Sequence, residues 1–354
     1  MNNYLSKKIT YLTTILTIGV VYIHSYNLMI GYSENTTIDA TQLSLNSYLQ
    51  VLISHELLRF SVPVFFVISG LLFFYSLNKA TFFIKLKKRC KTLLIPYLLI
   101  NSIWFVLIFL LMQIPMLSIF FTGNSLSEFS IKQYLYWITI RPFPGQLWYI
   151  RILIILYVFS PLIYFGVKKL KNIYFIIILL LWSFDFNWNT KIFEGLFFFS
   201  LGGYIAFYYI RKINNLTKIN VNVLLCSFLL IIFNTFARFL LPVIVSTYIS
   251  KIIILLNLYN INIIYDYLFT RIKKISIKKI FKFLSEFSFQ IYVLHEPLLG
   301  GLEKVIFKIF SFSNALSFIV YIINPIVVIL TIIVFCIIFK KFNLKIYNIL
   351  FGKR

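Results

Sequence analysis

Long apolar runs alternate with short basic segments along the whole chain. The hydrocarbon core of a bilayer is about 30 Å thick, so a helix needs roughly 20 apolar residues to cross it without exposing backbone amides. This pattern predicts an all-α, polytopic integral membrane protein of about ten transmembrane helices, in which residues 1–354 form a single domain. The predicted spans lie near residues 9–30, 48–77, 93–112, 147–167, 172–187, 192–210, 221–241, 251–270, 283–302 and 315–339.

The composition strengthens this interpretation. Of the residues, 60% are hydrophobic and 12% are charged, whereas soluble domains are about half apolar and about a quarter charged. The net charge is +24, which in a soluble protein would point to nucleic acid. Here the basic residues cluster between apolar runs, as in cytoplasmic loops of membrane proteins, and one side of the predicted membrane holds 25 of the 34 Lys and Arg. We therefore expect both termini in the cytoplasm, the lipid bilayer as a partner, and no nucleic acid.

Ionisable residues inside predicted spans are the first candidates for function, because a charge in hydrocarbon costs several kcal/mol unless it is paired or hydrated. His24, His55, Glu56 and Arg59 share the outer half of the predicted membrane. The spacing of the last three places them on one face of a continuous helix, as a charge-compensated cluster. The alternative is that Glu56 and Arg59 pair only to let that helix cross. The other candidates are Arg151, Glu194, Arg238, His295 and Glu296.

Several kinds of chemistry lack support in the sequence. There are three cysteines and three histidines, with no CxxC pair and no HExxH motif, so no metal site is expected. P-loop, GxGxxG and GxSxG motifs are missing as well. The pair Gly202-Gly203 predicts close helix packing, and residues 129–140 predict an interfacial helix.

Five segments share a pattern with one known family. They are Gly19-Val-Val-Tyr-Ile-His24, Arg59-Phe-Ser-Val-Pro-Val-Phe-Phe-Val-Ile-Ser69-Gly70, Gln146-Leu-Trp148-Tyr-Ile with Tyr157 and Pro161, Phe198 to Tyr204, and Ser288-Phe-Gln-Ile-Tyr292-Val-Leu-His295-Glu-Pro297. Together they resemble the acyltransferase 3 membrane proteins, which O-acylate lipopolysaccharide, capsule, peptidoglycan and other glycans. Two positions depart from the family pattern: Thr13 replaces an Arg before the first histidine, and Gln146 replaces a His.

The resemblance implies a membrane O-acyltransferase, expected to be an O-acetyltransferase, in a bacterial-type inner membrane. The donor would be acyl-CoA, expected to be acetyl-CoA, and the acceptor a hydroxyl of a cell-surface or lipid-linked glycan. Attack of a hydroxyl on a thioester needs a base and a group that holds the developing oxyanion. We predict His24 as the base, Arg59 as the charge-stabilising group, and Glu56 or Glu296 as the group that orients a histidine.

The remaining site residues follow from the same resemblance. Donor binding is predicted for a basic group, and substrate binding for a group of polar and aromatic residues. The donor-binding residues are Arg59, Lys85, Lys88 and Arg89. The substrate-binding residues are His55, Trp148, Arg151, Tyr292, His295 and Glu296.

Two other functions remain open from the residues alone. A transporter, flippase or polymerase of a lipid-linked polysaccharide has a similar composition, and a purely structural membrane subunit is the third possibility. A flippase would need charged residues along a path from one face to the other, whereas the candidates here concentrate in one half of the membrane. The chain also lacks the mirrored Gly or Pro breaks of inverted repeats.

Overall fold

Helices make up the secondary structure of the computed structural model, which describes residues 3–28, 43–75, 77, 81–118, 129–184, 191–210, 220–271, 275–310 and 312–352. The helices are α1 (Asn3–His24), α2 (Leu45–Val51), α3 (Ser61–Tyr75), α4 (Phe82–Arg89), α5 (Ile95–Met112), α6 (Pro115–Ser118), α7 (Ile131–Thr139), α8 (Trp148–Val158), α9 (Ser160–Phe165), α10 (Asn172–Ser183), α11 (Ile192–Tyr204), α12 (Val221–Leu240), α13 (Val243–Arg271), α14 (Ile275–Glu286), α15 (Ser288–Phe310), α16 (Asn314–Phe342) and α17 (Leu344–Phe351). The prediction of an all-α protein is confirmed for these residues.

Within the described residues, six helical stretches are long and apolar enough to cross a membrane, or seven if one bent pair counts as a span. A multi-pass membrane protein is thus supported. The predicted total of ten spans and the cytoplasmic termini stay predictions. The six stretches are Leu45–Tyr75, Phe82–Met112, Ile192–Tyr209, Val221–Leu240, Val243–Tyr267 and Asn314–Phe342, and the bent pair is Gly145–Val158 with Ser160–Leu170.

Two predicted spans are not straight helices. The second changes to a π-helix over Leu52–Leu57 and is interrupted before α3 begins at Ser61. The fourth bends by 66° between α8 and α9, where Pro161 lacks the amide that would continue the helix. The predicted fifth span is the helix α10, whose 12 residues give a length of about 18 Å, shorter than the hydrocarbon core.

The tightest packing joins α3 and α11. A Cβ on Gly70 would lie 2.0 Å from the backbone oxygen of Phe199, and one on Gly202 would lie 2.1 Å from that of Val67. Only glycine permits two backbones to approach so closely. The prediction that Gly202-Gly203 serves helix packing is confirmed. Buried aromatic rings, including those of Phe66, Phe74, Phe198 and Phe199, extend this contact into the main hydrophobic core.

The first helix is fixed at both of its ends. Near its start, Lys8 is buried and forms an ion pair of 2.6 Å with Asp266 of α13. Just beyond its end, the side chain of Asn27 donates to the backbone oxygen of Ser317 at 3.0 Å and accepts from the side-chain amide of Gln50 at 3.0 Å. These contacts hold the end of α1, where His24 lies, against α2 and α16.

The predicted interfacial helix corresponds to α7. Ser130 caps it, because its hydroxyl accepts from the amide of Gln133 while the Gln133 side chain accepts from the amide of Ser130. Asn101 of α5 donates to the backbone oxygens of Trp137 and Ile138, both at 2.9 Å, and so fastens α7 to the bundle.

Candidate active site

His24 and His295 meet in the interior although they are at opposite ends of the chain. Their ring centroids are 5.1 Å apart in an edge-to-face arrangement. The His24 side chain is 24% exposed, whereas His295 is fully buried. The structure thus places the two predicted site residues His24 and His295 side by side, and His24 is the more accessible of the two.

The tautomer of His295 follows from its hydrogen bond. Its Nδ1 lies 3.0 Å from the backbone oxygen of Ile291, one helical turn earlier in α15. Because a carbonyl oxygen can only accept, Nδ1 carries the proton, and Nε2 of the neutral ring is left as an acceptor. That Nε2 is buried and has no hydrogen-bond partner among the described residues. Such an orphaned acceptor inside a protein is the kind of group that a substrate hydrogen bond satisfies.

Glu296 supplies a carboxylate beside His24. Its Oε1 lies 4.0 Å from His24 Nδ1, and its Oε2 accepts a hydrogen bond of 3.0 Å from the amide of Gln146. A separation of 4.0 Å exceeds a hydrogen bond, but catalytic contacts are often long before substrate binds. We call His24, His295 and Glu296 the histidine cluster.

A short 3₁₀ turn, Gly145–Leu147, holds Glu296 in place. Tyr292 donates its hydroxyl proton to the backbone oxygen of Gln146, and the Gln146 side chain donates to the backbone oxygen of Val293 at 3.0 Å. A Cβ on Gly145 would lie 2.7 Å from Glu296 Oε1, so a glycine is required there for the carboxylate to come so near. The predicted substrate-binding residue Tyr292 thus contributes by fixing this turn.

Two cations lie near His24. Arg59 is in the break that precedes α3, and its Nη2 is 4.0 Å from Oε2 of Glu194 in α11. Lys191 directly precedes α11, and its Nζ is 4.7 Å from the centroid of the Trp148 ring. The charges of Lys191 and Arg59 both act on His24. The predicted residues Arg59 and Trp148 are therefore near the histidine cluster.

Like-charge repulsion is the main influence on Lys191. The positive charge of Arg59, followed by burial, lowers the pKa of Lys191 to about 8, against a smaller opposing effect of Glu194. The usual pKa of lysine is about 10.4. Lys191 is still protonated at neutral pH, but the net charge of the groups around it is positive.

Glu56 does not join Arg59, and the prediction of a shared helix face is wrong. The π-helical stretch and the break after it change the phase between the two residues, so helical spacing does not apply. Glu56 is fully buried and pairs with Arg238 of α12, while Asn234 donates to its Oε2 at 3.0 Å and Ser250 donates to its Oε1 at 3.3 Å. We call these four residues the Glu56 cluster. Its carboxylate is occupied by these partners, so the predicted catalytic role of Glu56 has no geometric support.

His55 lies between the two clusters. Its ring packs edge-to-face on Tyr26 at 4.6 Å between centroids, and the charges of Arg238, Arg59 and Lys191 all act on it. Its predicted role in substrate binding stays a prediction.

The predicted donor-binding residues lie on α4. Lys85 donates to the backbone oxygen of Phe73 at 3.0 Å, and the Arg89 guanidinium is 5.5 Å from the centroid of the Tyr157 ring. Lys88 is exposed. Phe73 of α3 and Tyr157 of α8 contact each other in the main hydrophobic core, so α4 packs against that core.

Arg151 has a different surrounding from the one predicted. It donates to the backbone oxygen of Ile140, and Tyr97 donates to that of Thr139 at 3.0 Å. Arg151 thus fastens the end of α7, and no contact joins it to the histidine cluster within the described part of the chain.

Two residues of the site were missed by sequence reasoning. Lys191 carries no motif, although a lysine three residues before a glutamate at the start of an apolar span is a signal that could have been weighed. Gly145 is recognisable only once Glu296 is seen beside it. As for metal binding, the described residues contain no group of three or more His, Cys, Asp or Glu side chains that could hold an ion.

The fold and the site together define a class: an integral membrane protein whose interior holds a histidine beside a carboxylate, the arrangement of a general base with its orienting group. The family model described as an acyltransferase domain matches residues 7–340, nearly the whole chain. The chain belongs to the acyltransferase 3 family, as its motifs indicated, and is a membrane acyltransferase. No curated protein and no solved structure matches it significantly.

Proposed function

We propose that this protein is an O-acetyltransferase that transfers the acetyl group of acetyl-CoA to a hydroxyl of a cell-surface or lipid-linked glycan, in a bacterial-type inner membrane. The observation that carries the proposal is the histidine cluster, in which a partly exposed His24 lies beside a fixed carboxylate and a second histidine, whose buried Nε2 has no partner among the described residues. The family supplies the reaction class.

His24 acts as the general base in this mechanism. Glu296 faces Nδ1 of His24 and favours the tautomer that carries its proton there, so Nε2 is the acceptor. The acceptor oxygen attacks the thioester carbon while its proton passes to Nε2. When the tetrahedral intermediate collapses, the carbon–sulfur bond breaks, and the CoA thiolate takes the proton back from His24.

Arg59 stabilises the charge that develops on the carbonyl oxygen. It acts electrostatically on His24, so it lies close enough to favour a negative charge beside that ring. On the donor side, α4 presents Lys85, Lys88 and Arg89, whose charges would attract the phosphates of CoA.

The test is mass spectrometry of surface glycans from cells that lack the gene and are complemented with wild type or with His24→Ala. We expect wild type alone to restore a mass difference of one acetyl group, because positioned bases contribute about 10²- to 10⁴-fold to rate. Size-exclusion chromatography of a tagged protein checks that both variants are folded in equal amount.

Two results would contradict the proposal. Full acetylation with His24→Ala would exclude His24 as the base. Glycans of unchanged mass but altered amount or location would favour transport or polymerisation of a lipid-linked polysaccharide instead.

A further inference from the structure

The cations Arg59 and Lys191 both act on His24, and the carboxylate of Glu194 acts on both of them. Glu194 lies 4.0 Å from Arg59 through Oε2. Its other oxygen, Oε1, is buried and has no hydrogen-bond partner among the described residues. Within that part of the chain, no carboxylate lies within ion-pair distance of Lys191. Its Nζ instead lies 4.7 Å from the centroid of the Trp148 ring. The single negative charge of Glu194 therefore compensates the positive charges of Arg59 and Lys191 only in part.

Other charged groups do not remove this imbalance. Glu296 is engaged by the amide of Gln146 and faces His24. Arg238 is paired with Glu56. The charge of Arg59 outweighs that of Glu194 at Lys191 and lowers its pKa to about 8. A negative group between Arg59 and Lys191 would relieve their repulsion.

We propose that Arg59 and Lys191 form a subsite for an anionic group of a substrate, a carboxylate or a phosphate ester, with the Trp148 ring as its apolar wall. The inference rests on the proposed function in that the anion belongs to one of the two substrates of acyl transfer. Guanidinium and ammonium groups are the usual ligands of carboxylate and phosphate. Because both cations act on His24, the anion lies near the reacting atoms.

This chemistry has three possible sources. The transferred acyl group can end in a second carboxylate, as in succinyl. The acceptor can be an acidic or phosphorylated sugar. The anion can also be a phosphate of CoA itself. The shared requirement is a negative charge, which a neutral acetyl group on a neutral sugar does not supply.

Protection of Lys191 from acetic anhydride tests the subsite directly. Purified protein in nanodiscs is labelled at pH 8, where about half of Lys191 is the reactive free amine, and the modified lysines are quantified by mass spectrometry. An anion within 4–6 Å raises a lysine pKa by about 1 unit or more, so we expect the labelling rate to fall about fivefold. Exposed Lys132 on α7 is the internal control and should be unaffected.

The probes distinguish the sources. Succinate stands for a dicarboxylic acyl group, glucuronic acid and glucose 1-phosphate for an acidic acceptor, and CoA for the donor phosphates. Glucose and acetamide are the neutral controls. Protection by one anionic probe assigns the source. Equal labelling of Lys191 with every probe, or equal protection by glucose, would overturn the proposal, and neither result depends on whether the protein transfers acetyl groups.

Variants extend the test to turnover in membranes. Lys191→Ala should raise KM for the charged substrate about tenfold or more with a smaller change in kcat, because the bound anion loses one charge-assisted hydrogen bond. Lys191→Arg should have a KM close to that of wild type, and Lys132→Ala should match wild type. An unchanged KM with Lys191→Ala, in protein that is folded and active, would show that Lys191 holds no anion.

Discussion

The histidine cluster and the Glu56 cluster are both polar, both internal and both built on several helices, but their hydrogen bonding differs. In the Glu56 cluster, Arg238, Asn234 and Ser250 occupy both carboxylate oxygens, and among the described residues one amide oxygen, that of Asn234, has no partner. In the histidine cluster, Nε2 of His295 has no partner within the same residues, and Nδ1 of His24 is 4.0 Å from Oε1 of Glu296, which is longer than a hydrogen bond.

This difference is the one we expect between a structural cluster and the proposed catalytic one. A buried charge in a bilayer must be compensated when the protein is at rest, and the Glu56 cluster is compensated by its own residues. A reacting site must keep some capacity for the substrate, and it tolerates unsatisfied atoms for that purpose. The predictions below test that distinction, from the largest expected effect to the smallest.

Removal of Arg238 should damage the fold most. Arg238→Ala leaves the fully buried Glu56 without its cation, which costs about 3–5 kcal/mol. We expect a lower thermal midpoint and less folded protein after detergent extraction, measured by fluorescence-detected size-exclusion chromatography. Arg141→Ala, at an exposed arginine 5.0 Å from the Trp137 ring, is the matched control and should change stability by less than about 1 kcal/mol.

A double variant sharpens that result. Arg238→Met combined with Glu56→Gln removes both charges and should recover much of the lost stability, since neutral replacement of a buried pair is often tolerated. Unchanged stability with Arg238→Ala alone would show that the Glu56 cluster does not support the fold.

Replacement of Glu296 should affect the reaction and spare the fold. Glu296→Gln keeps the size but loses the charge opposite His24, worth about 1.5–3 kcal/mol, so acyl transfer should slow by roughly ten- to a hundredfold. The rate is measured as acetylated glycan formed per folded protein. Glu303→Gln on the same helix is the control, because the buried carboxyl of Glu303 accepts hydrogen bonds from the neutral side chains of Ser25 and Asn324. Equal loss of rate in both variants would contradict a specific role of Glu296.

The smallest effect is expected at Gly145. Gly145→Ala would place a Cβ 2.7 Å from Glu296 Oε1 and push the carboxylate away by a fraction of an ångström. We expect a rate reduced about three- to tenfold, below the ~10²-fold that a misplacement of 1 Å can cause. Gly300→Ala is the matched control, because nothing lies within 4 Å of a Cβ there. A normal rate in Gly145→Ala would mean that the position of Glu296 is not critical.

Much of the fold was predictable because apolar runs of about 20 residues leave a helix as the only stable spanning structure. The prediction that Glu56 and Arg59 share one helix face was wrong because the sequence gives no sign of the π-helical turn from Leu52 to Leu57. That turn changes the direction of the side chains that follow it, relative to a regular α-helix. Local periodicity assumes an unbroken helix, and it fails where one extra residue enters a turn.

The site was predictable where a motif identified it. His24, Arg59, Trp148, His295 and Glu296 were selected from family-like segments and lie near one another. The pairing of Glu56 with Arg238 and the placement of Lys191 could not be predicted, because contacts between helices far apart in the chain are set by packing angles that a single sequence does not encode.

The glycine contact between α3 and α11 can form only late in biosynthesis. Gly70 meets Phe199 only after about 130 further residues have been synthesised, which takes roughly 6–26 s at about 5–20 residues per second. During that interval α3 is in the bilayer without the helix that fits its glycine surface. The contact of His24 with Glu296 forms later still, because Glu296 belongs to α15. The proposed catalytic centre is therefore completed late in biogenesis, and the N-terminal half must stay intact in the membrane, protected from proteolysis, until the later helices are inserted.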